Sequence, residues 1–141
     1  MSEQEAEKTF RVYDAYLHAG KVTFPRAGEL MEIRERGFGQ LRGKGLALTP
    51  LEAFYLLEKG RVTVQTRTGE KVTFEGLVRS LSAKRSEIWV KYLVYRDLRD
   101  RGYIVRDCHV FDFEIHGKGA MRRYVYIVYE GGEADLKTLR R

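Results

Sequence analysis

The stretch TPLEAFYLLEKGRVTVQTRTGEKVTF, residues 49–74, decides the fold class. Thr49 offers a side-chain cap, Pro50 fits a first helical position, and Glu52 sits where a capping box needs its reciprocal acceptor. A helix is therefore expected from Pro50, with Leu51, Phe54, Tyr55 and Leu57 as its apolar side. Lys59 lies in its last turn and Gly60 suits the left-handed exit, so the helix ends there. Val62 and Val64 then alternate with polar residues and Thr68-Gly69 marks a turn, which predicts a strand leading into a hairpin. Helix and antiparallel strands in one short segment indicate an α+β domain.

Upstream, FRVYDAYLHAGKVTF (10–24) alternates enough for one or two strands with a turn at Ala19-Gly20. The next run, GELMEIRERGFGQLRGKGLALT (28–49), predicts a helix over Glu29 to Arg36 stopped by Gly37, then a strand pair around Gly43-Lys44-Gly45. Downstream, Phe74, Leu77, Val78 and Leu81 recur at helical spacing, and Ser82-Ala83-Lys84-Arg85-Ser86 is a polar break. A domain boundary is expected inside that break, giving an N-terminal α+β domain over 1–84 and a second domain over 85–141. The second opens with the helical period of IWVKYLVYRDLRDRG (88–102), with Ser86 as a candidate cap and Gly102 as its stop. Three strand-like runs follow, Tyr103 to Asp107, Val110 to His116 and Arg123 to Glu130, the clearest turn being Gly117-Lys118-Gly119. One helix on a mixed sheet of such strands makes a small α/β domain.

Composition narrows the function classes. The chain has 141 residues, 43% apolar and 12% aromatic, with two prolines, which suits a globular protein rather than a disordered one. No apolar run approaches the roughly 18 residues needed to span a bilayer, and the leader MSEQEAEKTF has no apolar signal region, so a cytoplasmic protein is expected. Cys108 is the single cysteine and His18, His109 and His116 are the only imidazoles, so neither a disulfide, a metal site nor a cofactor is expected. Lysine and arginine outnumber aspartate and glutamate by 26 to 20, for a formal charge of +6, an excess that favours a polyanionic partner. Charged residues reach 33% and asparagine is absent, a profile suited to a hot environment.

Two segments carry a family resemblance. GELMEIRERGFGQLRGKGLALTPLEAFYLLEKG (28–60) resembles the N-terminal domain of archaeal tRNA-splicing endonucleases, and YLVYRDLRDRGYIVRD (92–107) resembles the opening of their nuclease domain. The similarity extends from Gly28 to about Glu130, and the run Lys91 to Tyr103 is its most specific part. It implies metal-independent cleavage at the bulges of a bulge-helix-bulge RNA, leaving a 2′,3′-cyclic phosphate and a 5′-hydroxyl. A tyrosine takes the proton from the 2′-hydroxyl, a histidine protonates the departing 5′ oxygen, and a lysine stabilises the charge of the transition state.

This chain departs from that pattern. Where the family follows its Asp-Phe strand with the tyrosine, Asp112-Phe113-Glu114-Ile115 leads to His116. Where the catalytic histidine opens the next strand, the chain has Met121, which carries no titratable proton. The helix and strand bearing the lysine are expected to be missing after Arg141. Each of these groups is worth about 100-fold or more in rate, so the resemblance implies the non-catalytic, structural subunit of a heterotetramer, two plus two with catalytic partners, acting on precursor tRNA. It also implies a docking role for the acidic loop Glu130-Gly131-Gly132-Glu133-Ala134-Asp135, whose three carboxylates suit a basic cleft of the opposite subunit.

Two other readings compete. An active nuclease with a relocated site would use His109, His116 and Lys118, but seven residues separate the histidines, which on one continuous strand places them on opposite faces. A stand-alone RNA-binding module would use Arg122, Arg123, the terminal Arg140 and Arg141 and exposed tyrosines, with Lys118 as a further RNA contact, although Tyr124 and Tyr126 suit a sheet. Trp89 reads as a core or domain-interface anchor, and Arg96-Asp97-Leu98-Arg99-Asp100-Arg101 as a solvated ion-pair face.

Overall fold

The computed structural model describes residues 11–82, 87–107, 112–117 and 122–128. The chain divides into two compact units, Met1–Ser86 and Glu87–Arg141. In the first, β1 (Tyr13–His18) and β2 (Lys21–Phe24) form a hairpin whose two turn residues both have positive φ, Ala19 at 50° and Gly20 at 74°. Two left-handed residues in succession match the right-handed twist of the flanking strands. A 3-10 turn (Ala27–Glu29) then precedes α1 (Met31–Glu35), so the helix expected over Glu29 to Arg36 is shorter than its periodicity suggests. Arg26 and Leu30 are extended or irregular and provide no side-chain cap, which leaves the helix to start late.

The strands β3 (Gln40–Arg42) and β4 (Gly45–Leu48) pair antiparallel around Gly43, whose φ is 60°. Gly45 is required by proximity: a Cβ there would lie 2.6 Å from the Phe24 carbonyl oxygen. Next comes α2 (Pro50–Glu58), whose Thr49–Glu52 capping box is complete: Glu52 N–H donates to Thr49 Oγ1 at 3.2 Å and Thr49 N–H donates to Glu52 Oε1 at 2.8 Å. The apolar side is broader than expected. Leu51, Ala53, Phe54 and Leu56 are buried, while Tyr55 and Leu57 are only half-buried, because the helix is covered by the sheet and by a second helix rather than lying on a surface. That helix is α3 (Phe74–Ser82), reached through the hairpin of β5 (Val62–Thr66) and β6 (Lys71–Val72).

The resulting sheet has the order β3-β4-β2-β1-β5-β6. It is mixed, because β1 and β5 run parallel with Tyr13 opposite Val62 and Leu17 opposite Thr66, while the other pairs are antiparallel. The core contains Ala15, Val22, Phe24, Leu46, Leu48, Val62, Val64 and Leu77, and Phe54 meets Phe74 edge-on at 6.3 Å.

The second unit begins with α4 (Ile88–Asp100), which buries Ile88, Tyr92, Tyr95 and Arg99 along one stripe and exits at Gly102 with φ 93°. The candidate cap Ser86 lies outside the described residues; the N-cap is Glu87, with no side-chain cap bond. The strands β7 (Ile104–Asp107), β8 (Phe113–His116) and β9 (Arg122–Val125) make a sheet of order β7-β8-β9. Both described pairings are antiparallel, which corrects the mixed sheet expected here: connections this short join antiparallel neighbours, whereas a parallel pair needs a crossover of a dozen residues or more. The mixed sheet belongs to the first unit, and the architecture of both described units is α+β.

Inside the second unit, Tyr95 packs on Phe113 with ring centroids 5.9 Å apart, and the Lys91 ammonium lies 5.2 Å over the Phe113 ring and 3.9 Å from Asp107. Arg99 corrects the expected solvated face. Its side chain is buried, Nε donating to the Tyr95 hydroxyl at 3.0 Å and NH2 to the Val105 carbonyl at 3.4 Å. Arg99 continues the helical stripe of Tyr92 and Tyr95, which takes it inward, whereas Asp97 and Arg101, one turn apart at 3.1 Å, do form the exposed ion pair. Trp89 is 41% exposed and tilted against Tyr92 at 5.7 Å, so it is no core residue. No helix among the described residues is long and apolar enough to cross a membrane.

Candidate functional site

Strand alternation makes two unlike faces on the second sheet. Phe113 and Ile115 point into the core under α4, so Glu114 and His116 point the other way. Register then assembles their neighbours: Ile104 and Arg106 of β7 lie opposite His116 and Glu114, and Arg122 and Tyr124 of β9 lie opposite the same two residues. The outer face therefore gathers an imidazole, a carboxylate, two guanidinium groups and a phenol.

One oxygen organises this face. Glu114 Oε1 accepts from Arg122 Nε at 2.9 Å and lies 3.7 Å from His116 Nε2, an ion-pair separation rather than a hydrogen bond. Tyr124, through a side-chain hydrogen bond, and then the Glu114 charge hold the Arg122 guanidinium above its ordinary pKa. Arg122 is thus a permanent cation, with 61% of its side chain exposed, on a fixed tether. Tyr124 is 50% exposed. A fixed guanidinium beside an imidazole and an accessible phenol can contact phosphate and stack on a base.

Among the sequence candidates, His116 and Arg122 come together on this outer face, whereas Arg123 sits opposite Ile115 on the other face of the strand. Lys118, Met121, His109 and the acidic residues Glu130, Glu133 and Asp135 lie outside the described residues. Reading the sequence missed Glu114 as part of the site and assigned Tyr124 to the sheet alone. Their signal was the alternation in Phe113-Glu114-Ile115-His116 and Arg122-Arg123-Tyr124, which places every second residue on one face. It also missed Asp112, whose carboxylate accepts from the Ile127 N–H at 2.6 Å and ties the segment after β9 back to the start of β8.

Comparison with known proteins finds a family match that falls within the first unit. Residues 13–78, from the start of β1 to within α3, match the family model of the tRNA intron endonuclease N-terminal domain. A tRNA-splicing endonuclease of Pyrococcus furiosus is 42% identical over 113 residues, covering 77% of this chain and 65% of that protein. One from Pyrococcus abyssi is 37% identical over 113 residues, covering 78% and 66%, and one from Methanococcoides burtonii is 34% identical over 110 residues, covering 74% and 31%. The chain thus spans about two thirds of the Pyrococcus relatives, and the similarity runs beyond the 66 residues of the domain match into the second unit. With its N-terminal domain matched and the similarity reaching past it into the second unit, the chain belongs to the tRNA-splicing endonuclease family.

Proposed function

We propose that this chain is a structural, non-catalytic subunit of a tRNA-splicing endonuclease, assembled two plus two with catalytic subunits that cut precursor tRNA at bulge-helix-bulge sites. The observation that carries the proposal is the residue at the end of β8. Where the resemblance implies a tyrosine base, the chain holds His116, half-buried and turned toward Glu114. Transesterification by a 2′-hydroxyl needs one group to take a proton and another to give one to the departing oxygen. At the second position stands Met121, with no proton to give. One imidazole between them cannot fill both roles at opposite ends of an in-line displacement, and each missing role is worth about 10²–10⁴-fold.

The subunit would then contribute shape and charge. Arg122, held by Glu114 and Tyr124, supplies a phosphate contact on the outer face, and the acidic loop at Glu130, Glu133 and Asp135 supplies the docking element for a basic cleft of the catalytic partner. Reversing charge at Glu133 and Asp135 should weaken assembly, seen as loss of the heterotetrameric mass in native mass spectrometry; an unchanged assembly removes the docking role.

The deciding experiment is cleavage of a bulge-helix-bulge RNA, without divalent metal, by this chain, by its catalytic partner and by the purified mixture. Cleavage that requires the mixture supports the structural subunit. Efficient cleavage by this chain alone overturns it and favours an active nuclease built on His116 and Lys118.

A further inference from the structure

The first unit contains a cavity that the outer face of the second sheet does not explain. It lies where the C-terminal ends of α1 and α2 meet the start of β5, is partly open to solvent, and has a volume of about 60 Å³. Four cationic side chains, Arg11, Arg36, Lys59 and Arg61, line it together with a single carboxylate among the described residues, Glu32. We propose that this cavity is a binding site for one phosphate group.

Size decides against a larger ligand. A water needs about 10–15 Å³ of such volume, so 60 Å³ holds a group the size of phosphate and is far below the roughly 300 Å³ at which sites for whole small molecules begin. Charge sets the sign: of the five charged side chains that line the cavity among the described residues, four are cationic. The cations are also positioned. Arg61 NH1 reaches Glu32 Oε1 at 3.4 Å, and the Tyr13 hydroxyl reaches the other Glu32 oxygen at 3.5 Å, so the carboxylate serves as a strut for the half-buried guanidinium. The Lys59 ammonium lies 5.4 Å over the Tyr55 ring, itself stacked on buried Phe38 at 5.9 Å, and Arg11 lies 5.8 Å over Tyr13. Guanidinium forks and an ammonium braced on rigid walls suit the three oxygens of a phosphate better than a carboxylate's two.

The phosphate could belong to an RNA strand or to a small soluble phosphate, and the test separates the two sources. The full chain is titrated against a 12-nucleotide oligouridylate by fluorescence anisotropy at several KCl concentrations, with inorganic phosphate and uridine monophosphate as competitors. The double variant Arg36→Gln/Lys59→Gln removes two exposed cations from the cavity; Lys44→Gln/Lys71→Gln removes the same charge from exposed positions elsewhere. The cavity variant should weaken oligonucleotide binding about tenfold and lower the salt slope by about 0.7, the value of one phosphate on a single strand, while the control changes little. Competition by phosphate or the mononucleotide at millimolar concentration, lost in the cavity variant, assigns a small phosphate; its absence assigns a backbone phosphate. Equal weakening by both double variants, or no binding of any probe by the unaltered chain, overturns the site. The choice of RNA as the source rests on the subunit reading, but the phosphate chemistry does not. Because the assay uses this chain alone and reads binding, its failure leaves the cleavage experiment standing, and the reverse also holds.

Discussion

The six-stranded sheet of the first unit and the three-stranded sheet of the second handle polar groups in opposite ways. In the first, a carboxylate is taken inside: Glu52 is 6% exposed and accepts from the N–H groups of both Thr49 and Gly39, at 2.8 Å each, so it pins the loop before β3 to the cap of α2. Among the described residues of the second, the buried ion is a cation, Arg99, and the organising carboxylate, Glu114, sits on the outer face with His116 and Arg122. Buried charge thus serves the scaffold in both units, whereas in the second an exposed charge cluster runs across one sheet face.

The largest effect should come from the first unit's core. Phe54→Ala removes a side chain with no exposed surface and should cost about 3–5 kcal/mol. Trp89, the sole tryptophan, belongs to the second unit, so its fluorescence reports that unit while far-UV circular dichroism reports both. In urea, Phe54→Ala should advance the dichroism transition ahead of the Trp89 transition; coincident shifts would mean that the two units unfold as one. Glu52→Ala leaves two N–H groups without their acceptor and removes half of a capping box, for about 2–3 kcal/mol by the same measurement. Arg99→Ala leaves the Val105 carbonyl and the Tyr95 hydroxyl short of a donor, for about 1–3 kcal/mol, and here the Trp89 signal should shift first.

The smallest effect belongs to the outer face. Arg122→Gln should leave the melting temperature unchanged, because the group is exposed and its ion pair is screened. Its pKa is raised above an already high value, so the Arg122 charge is fully present at lower pH and is lost only as pH rises through that raised value. Stability should therefore show no Arg122-dependent change between about pH 5 and 9. An Arg122 variant that melts early would mean that the cluster is structural after all.

Much of the first unit was legible because its signals are local. Thr49, Pro50 and Glu52 announce a helix start, Ala19-Gly20 and Gly43 fall at turns, and each acts within four residues of its effect. What stayed hidden depends on distant partners. Nothing near Tyr13 announces that β1 pairs parallel with β5, nothing near Glu52 shows that its second oxygen meets Gly39, and the charged run around Arg99 conceals the residue whose helical phase takes it inward. The candidate site was half visible. His116 and Arg122 stood out by chemistry, whereas Glu114, which joins them, had to be read from strand phase and cross-strand register.

The parallel pairing of β1 with β5 also orders events during synthesis. β2 follows β1 immediately and can close the hairpin as it emerges, but contacts such as Asp14 with Thr63 join residues 49 positions apart. At about 5–20 residues per second, the partner strand arrives roughly 2–10 s later. For that interval one long edge of the nascent hairpin, the β1 edge with Tyr13, Ala15 and Leu17 at alternate positions, has no neighbour. Until β5 arrives, that open edge is the kind of unpaired strand edge that can template pairing with another chain.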